Sequence, residues 1–139
     1  MRIVVDTNIL VSGLISVTGP PALILNALRS GRLVAVMSEA TLAELHAVLH
    51  RPALRLYFTR AGVTPTAFMK EIRTQADLII PTASTIAIRD EQDCPFLDLL
   101  ATNPQPQYFV TGDGDFEAGK YHGVPVISAA AFVKLLRHT

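Results

Sequence analysis

Two hydrophobic rhythms alternate along this chain. Short β-branched runs occur at Ile3–Val5, Leu33–Val36, Phe109–Val110 and Val124–Ile127. Between them lie longer stretches with apolar residues three and four apart. These predict helices over 9–16, 20–30, 39–50, 52–61, 65–77, 94–102 and 128–137. Pro20 and Pro21 suit a helix start, where no N–H donor is needed, and Gly31 suits the stop. Ser38 and Ser128 each precede a helical stretch and read as N-caps. Strands that are continuously apolar must be covered on both faces. Alternating with helices, they predict an α/β fold: a three-layer α/β/α sandwich around a central, mostly parallel sheet. No linker, repeat or low-complexity tract interrupts the pattern, and the proline-containing stretch 103–107 is too short to divide domains. Residues 1–139 therefore read as a single domain.

One position breaks the apolar pattern. The run Arg2-Ile3-Val4-Val5 goes straight into Asp6, and a carboxylate ending a buried strand is costly unless something pairs with it. In a parallel α/β sheet, ligands collect just beyond the carboxyl ends of the strands, so the residue after each strand is where chemistry belongs. Asp6 follows the first strand. Glu44 lies in the helix after the second. Asp93 heads the helix that begins Cys94-Pro95-Phe96, and Asp113 follows Tyr108–Thr111, with Asp115 two residues on.

Each acid has a plainer use. Asp6 and Asp93 would serve as N-caps, Asp113 and Asp115 as turn residues. Glu44, turned away from the apolar stripe Leu42, Leu45 and Leu49, would complete a capping box with Thr41 or face solvent. Taken singly, Glu44 and Asp115 fit the plainer use better. The explanation that covers all of them is a hard divalent cation: Mg²⁺ or Mn²⁺ takes oxygen ligands, uses few carboxylates and keeps several waters. Metal binding would then compensate Asp6.

Composition narrows the classes. Half the residues are hydrophobic and the mean hydropathy is +0.36. No apolar run reaches the roughly 18 residues of a membrane span, because Asp6, Asn8 and Gly19-Pro20 interrupt the richest stretch. Asp6 also argues against a signal peptide. The expectation is a cytoplasmic protein with no membrane partner, with apolar surface enough to form a homo-dimer or higher homo-oligomer. A single cysteine, Cys94, excludes an internal disulfide and a zinc ribbon. Twelve basic and twelve acidic residues cancel, so any nucleic-acid surface must be a local patch.

Arg51, Arg55 and Arg60, continued by Lys70 and Arg73 with Tyr57 and Phe58 interleaved, form one candidate patch for RNA; a solvated helix pair is the equally weighted alternative. His46 and His50 share a helix face, but Ala47 stands where a zinc-protease helix carries Glu, so they read as surface histidines. The stretch Thr111-Gly112-Asp113-Gly114-Asp115 lacks the lysine and the length of a P-loop.

Four segments together carry a resemblance: VVDTNILVSGLIS, the Glu in the helix after the second strand, RDEQDCPFLDLLA and YFVTGDGDF. Spanning residue 3 to about residue 127, they resemble the PIN-domain ribonucleases, and among these the VapC-like toxins of bacterial toxin–antitoxin pairs. The resemblance implies that Asp6, Glu44, Asp93 and Asp113 line a Mg²⁺ or Mn²⁺ site for RNA cleavage, with Thr7, Asn8, Thr111 and Asp115 in support. It further implies an endoribonuclease that leaves 3′-hydroxyl and 5′-phosphate ends, and a cognate antitoxin as partner. The third motif departs from the usual D-P-D-D-N and reads Asp90-Glu91-Gln92-Asp93-Cys94, which keeps Asp90 as a second candidate. Asp98, one turn past Cys94, is expected to face solvent. The competing reading is a non-catalytic module that binds RNA or protein on the same fold.

Overall fold

Arg2–Val5 forms strand β1, and the rest of the sheet is laid out around it. The fold is taken from a computed structural model that describes residues 1–81, 94–102, 104–112 and 120–138. After β1 come helix α1 (Thr7–Ile15), α2 (Pro20–Arg29), β2 (Val34–Met37), α3 (Glu39–Leu49), a 3₁₀ turn (Pro52–Leu54), α4 (Arg55–Ala61), α5 (Pro65–Gln75) and β3 (Asp77–Leu78). The chain continues with α6 (Cys94–Leu100), β4 (Tyr108–Val110), β5 (Lys120–Tyr121), β6 (Val124–Ile127) and α7 (Ala129–Arg137). Among the described residues the sheet has six strands in the order β3-β2-β1-β4-β6-β5. Five run parallel, and only the edge strand β5 pairs antiparallel, with β6.

Why the strands are continuously apolar is now visible. Successive side chains leave a strand on opposite faces, and each face has its own core. Ile3, Val5, Ala35, Met37 and Val110 pack under α1, α2, α3, α5 and α7, a cluster that includes Leu10, Ile24, Leu45, Phe68 and Phe132. Val4, Val36, Phe109 and Val124 face the other way onto Phe96, Leu97, Leu99 and Leu100 of α6. Phe96 and Phe109 stack there with ring centroids 5.9 Å apart. This is the three-layer α/β/α arrangement.

The sequence pattern placed the helices and the strands β1, β2, β4 and β6, but not the two-residue strands β3 and β5. The helix expected over 65–77 stops at Gln75, because Ala76 turns extended (ψ 150°) and Asp77–Leu78 joins the sheet edge beside β2. The segment 52–61 divides into the 3₁₀ turn and α4. Leu33 is buried but precedes β2, and α1 begins at Thr7 rather than Ile9. Gly62 closes α4 in the left-handed conformation (φ 68°), which glycine adopts without strain.

Strand order reverses between β1 and β4, which lie side by side although α1 leaves β1 into one core and α6 sits in the other. A crevice at the carboxyl ends of such a strand pair is where open α/β sheets hold their ligands. No single described helix is long and apolar enough to cross a membrane; α1 and α2 meet that test only as a pair, bent by 94° at their junction.

Candidate active site at the carboxyl ends of β1 and β4

Asp6 stands where β1 ends and α1 begins, and the backbone holds it from both sides. Its N–H donates to the Val110 carbonyl (3.0 Å), which extends the β1–β4 ladder by one rung. Its own conformation is extended (φ −60°, ψ 142°), as an N-cap requires, and Oδ1 accepts from the Asn8 N–H at 3.4 Å. The other carboxylate oxygen, Oδ2, accepts from the Thr111 hydroxyl at 2.8 Å. Thr111 is fixed in turn by its N–H, which donates to the Ile127 carbonyl on β6 (3.0 Å). Asp6, Thr7 and Thr111 are all buried, Asp6 with 7% of its surface exposed. The short bond from Thr111 lets this buried carboxylate at a helix N-terminus recover part of its lost hydration, a hydrogen bond to a charged group contributing about 1.5–3 kcal/mol.

The second acid arrives from α3. Glu44 is half-buried, and its Oε2 accepts from the Thr7 hydroxyl at 3.0 Å. Thr7 is the first residue of α1, so one helical start carries both the Asp6 cap and the tether for Glu44. Both plainer uses of Glu44 are thereby corrected. Glu44 is not turned to solvent, and the capping box of α3 is made without it: Ser38 Oγ accepts from the Thr41 N–H, and Thr41 Oγ1 accepts from the Ser38 N–H. Asn8 is exposed at the rim.

Asp93, Asp113, Asp115 and the alternative Asp90 lie outside the described residues. Among the described residues, no three Asp, Glu, His or Cys side chains converge. Two of the four expected acids, Asp6 and Glu44, are thus brought to one edge together with Thr7, Thr111 and Asn8. The Thr7–Glu44 tether escaped the sequence reading, because the two residues lie on different helices.

Residues 2–115 match the family described as the PIN domain, which is most of the chain. The chain belongs to the PIN-domain family. No curated protein and no solved structure matches it. PIN domains are generally nucleases and typically use divalent metal ions. The donors described in this PIN domain suit such an ion: Asp6 and Glu44 are hard oxygen donors beside the Thr111 and Thr7 hydroxyls, the donor type that Mg²⁺ and Mn²⁺ take.

The basic stretch needs two corrections. Phe58 is buried in the main core cluster, whereas Tyr57 is half exposed. Arg73 is engaged by Glu39 through two bonds (3.1 and 3.2 Å), which hold the Glu39 carboxyl below its ordinary value. Arg51, Arg55 and Arg60 are exposed. His46 and His50 lie ring to ring, centroids 4.2 Å apart, on the exposed side of α3. Asp98, expected to face solvent, is half-buried.

Proposed function

We propose that this PIN domain is a Mg²⁺- or Mn²⁺-dependent endoribonuclease, the toxin of a toxin–antitoxin pair. The observation that carries the nuclease reading is Asp6: a buried carboxylate at the topological switch point, with Glu44 tethered beside it through Thr7. Asp93 and Asp113 complete the acid set by resemblance. A divalent ion bound there supplies positive charge against the phosphate and makes water more acidic. The chain's own part is orientation. Thr111 fixes the Asp6 carboxylate, Thr7 fixes Glu44, and Asn8, exposed at the rim, would donate to a scissile phosphate.

The test is RNA cleavage with Mn²⁺ and with EDTA, alongside melting curves. Wild type is expected to cut RNA only with the metal and to gain stability as Mn²⁺ rises, by about 2.7 kcal/mol at a hundredfold excess over Kd. Asp6→Asn should lose cleavage and most of that gain. Equal Mn²⁺ responses in both proteins, or cleavage that survives EDTA, would overturn the assignment. Cell-growth arrest on expression, relieved by the product of an adjacent reading frame, is the expected signature of the toxin role.

A further inference from the structure

The acids of this chain are unevenly spread, and so are the bases. From Leu45 through Lys70 the sequence has no Asp or Glu, yet it carries Arg51, Arg55, Arg60 and Lys70. That stretch encloses an open cavity of about 520 Å³, formed by the end of α3, the start of α4 and the turn into α5. Its volume falls within the roughly 300–1,000 Å³ of small-molecule sites. Leu49, Phe58 and Val63 give it apolar walls, and His50, Arg51 and Arg55 line it with polar groups. Three other arginines are engaged by acids: Arg2 pairs with Asp77, Arg29 with Glu71 and Arg73 with Glu39. Arg51 and Arg55 have no acidic partner among the described residues.

We propose that this cavity takes one nucleotide of a single-stranded RNA, its base against the Leu49–Phe58–Val63 wall and its phosphate on Arg51 and Arg55. The ligand chemistry follows from the mixture of groups. A flat, weakly polar body with an attached anion satisfies an apolar wall and two unpaired guanidiniums together, whereas an acidic peptide would leave the wall uncovered. The location fits as well. Leu49 and His50 end the helix that carries Glu44, and six residues at a rise of about 1.5 Å place His50 roughly 9 Å along the axis from that acid. Helix α4 also packs on α1, whose first turn holds Thr7 and Asn8. One strand can therefore lie across both places. The cavity would set which nucleotide sits at a fixed distance from the cut, and in this sense it rests on the nuclease reading.

The experiment measures binding of a labelled single-stranded RNA to the full chain carrying Asp6→Asn, in EDTA, over a range of salt. Replacing Arg51 and Arg55 by Gln should lower the salt slope by about 0.7, for the one phosphate they hold. The wild-type pair then loses about 2.6-fold more affinity than the Gln pair between about 50 and 200 mM salt. Thr59→Trp, an exposed lining position, should weaken competition by nucleoside monophosphates while keeping the slope. All three substituted positions are on the surface, and circular dichroism checks the fold. An unchanged slope in the Gln pair, or inorganic phosphate competing as well as nucleoside monophosphates, would overturn the proposal. Cleavage by wild type with Mn²⁺ is scored separately. A protein that cuts RNA but shows no slope change keeps the nuclease and loses the cavity; the reverse result keeps the cavity and loses the nuclease.

Discussion

The hydrogen bond from Thr111 to Asp6 offers a direct measure of how the candidate site is held. Thr111→Val removes the hydroxyl and keeps the shape of the side chain. The bond spans 2.8 Å between buried groups 105 residues apart, so it links β4 to the end of β1. Hydrogen bonds to charged groups contribute about 1.5–3 kcal/mol, and neutral ones about 0.5–1.5. Thr111→Val should therefore cost roughly 2 kcal/mol in the wild type. In the Asp6→Asn background the same change should cost only about 1 kcal/mol, since an amide oxygen can accept from Thr111 but carries no charge. The coupling energy of the cycle is then about 1 kcal/mol.

For a chain of 139 residues each kcal/mol moves Tm by roughly 3–5 °C, so Thr111→Val should lower Tm by about 6–10 °C. Urea unfolding of the four proteins, without metal, gives the cycle directly. Thr111→Ser keeps the donor and should restore the coupling even though it loses a methyl group. Refutation is simple to recognise: a Thr111→Val cost below about 0.5 kcal/mol, or the same cost in both backgrounds, would mean that Asp6 does not depend on this donor.

Two further expectations concern the frame around the site. A Cβ on Gly13 would meet the Pro21 carbonyl oxygen at 2.5 Å and Leu25 Cβ at 3.2 Å, so Gly13→Ala should destabilise by about 1–3 kcal/mol despite the usual helix gain of about 1 kcal/mol; a rise in Tm would show that α1 and α2 are not packed this closely. Arg73 depresses the Glu39 carboxyl, so this pair stabilises above the ordinary carboxylate range and its contribution is lost as pH falls through the lowered value. The Tm gap between wild type and Glu39→Gln should accordingly be present near neutral pH and disappear in strong acid, below the ordinary carboxylate range, and in high salt, and a gap independent of pH would count against the pair.

How much of this was legible in the sequence depends on the range of the interaction. Helices were readable because their causes are local. Ser38 and Ser128 cap through their own side chains to residues three further on, and Pro20 opens α2. The central strands were readable because Ile3–Val5 and Val34–Met37 are buried on both faces. Strand β3 was not, since two residues show no period and Asp77 is an unremarkable acid until Arg2, 75 positions away, bonds it at 2.7 Å. The site divides along the same line. Asp6 announced itself as a charge at the end of an apolar run. The identity of its donor, and the tether from Thr7 to Glu44 across 37 residues, came only with the packing of β4 and α3 around α1.

What the described fold asks of position 6 is narrower than what Asp supplies. It asks for a small side chain with oxygen acceptors, to cap α1 at Asn8 and to receive the Thr111 hydroxyl. Asparagine meets both needs, since Asn and Asp are about equal as N-caps and either offers an oxygen to Thr111. The extra charge gains about 0.3–1 kcal/mol from the helix terminus, up to ~2 in a buried setting. Against that stands the several kcal/mol that an ion loses on leaving water. Burial therefore outweighs the helix term alone, and the charge at Asp6 carries a desolvation cost that asparagine would not. A positive group at the crevice would offset it. On the proposed function, a divalent cation held jointly with Glu44 would supply that compensation, and this is why the charge at position 6 argues for chemistry rather than for folding.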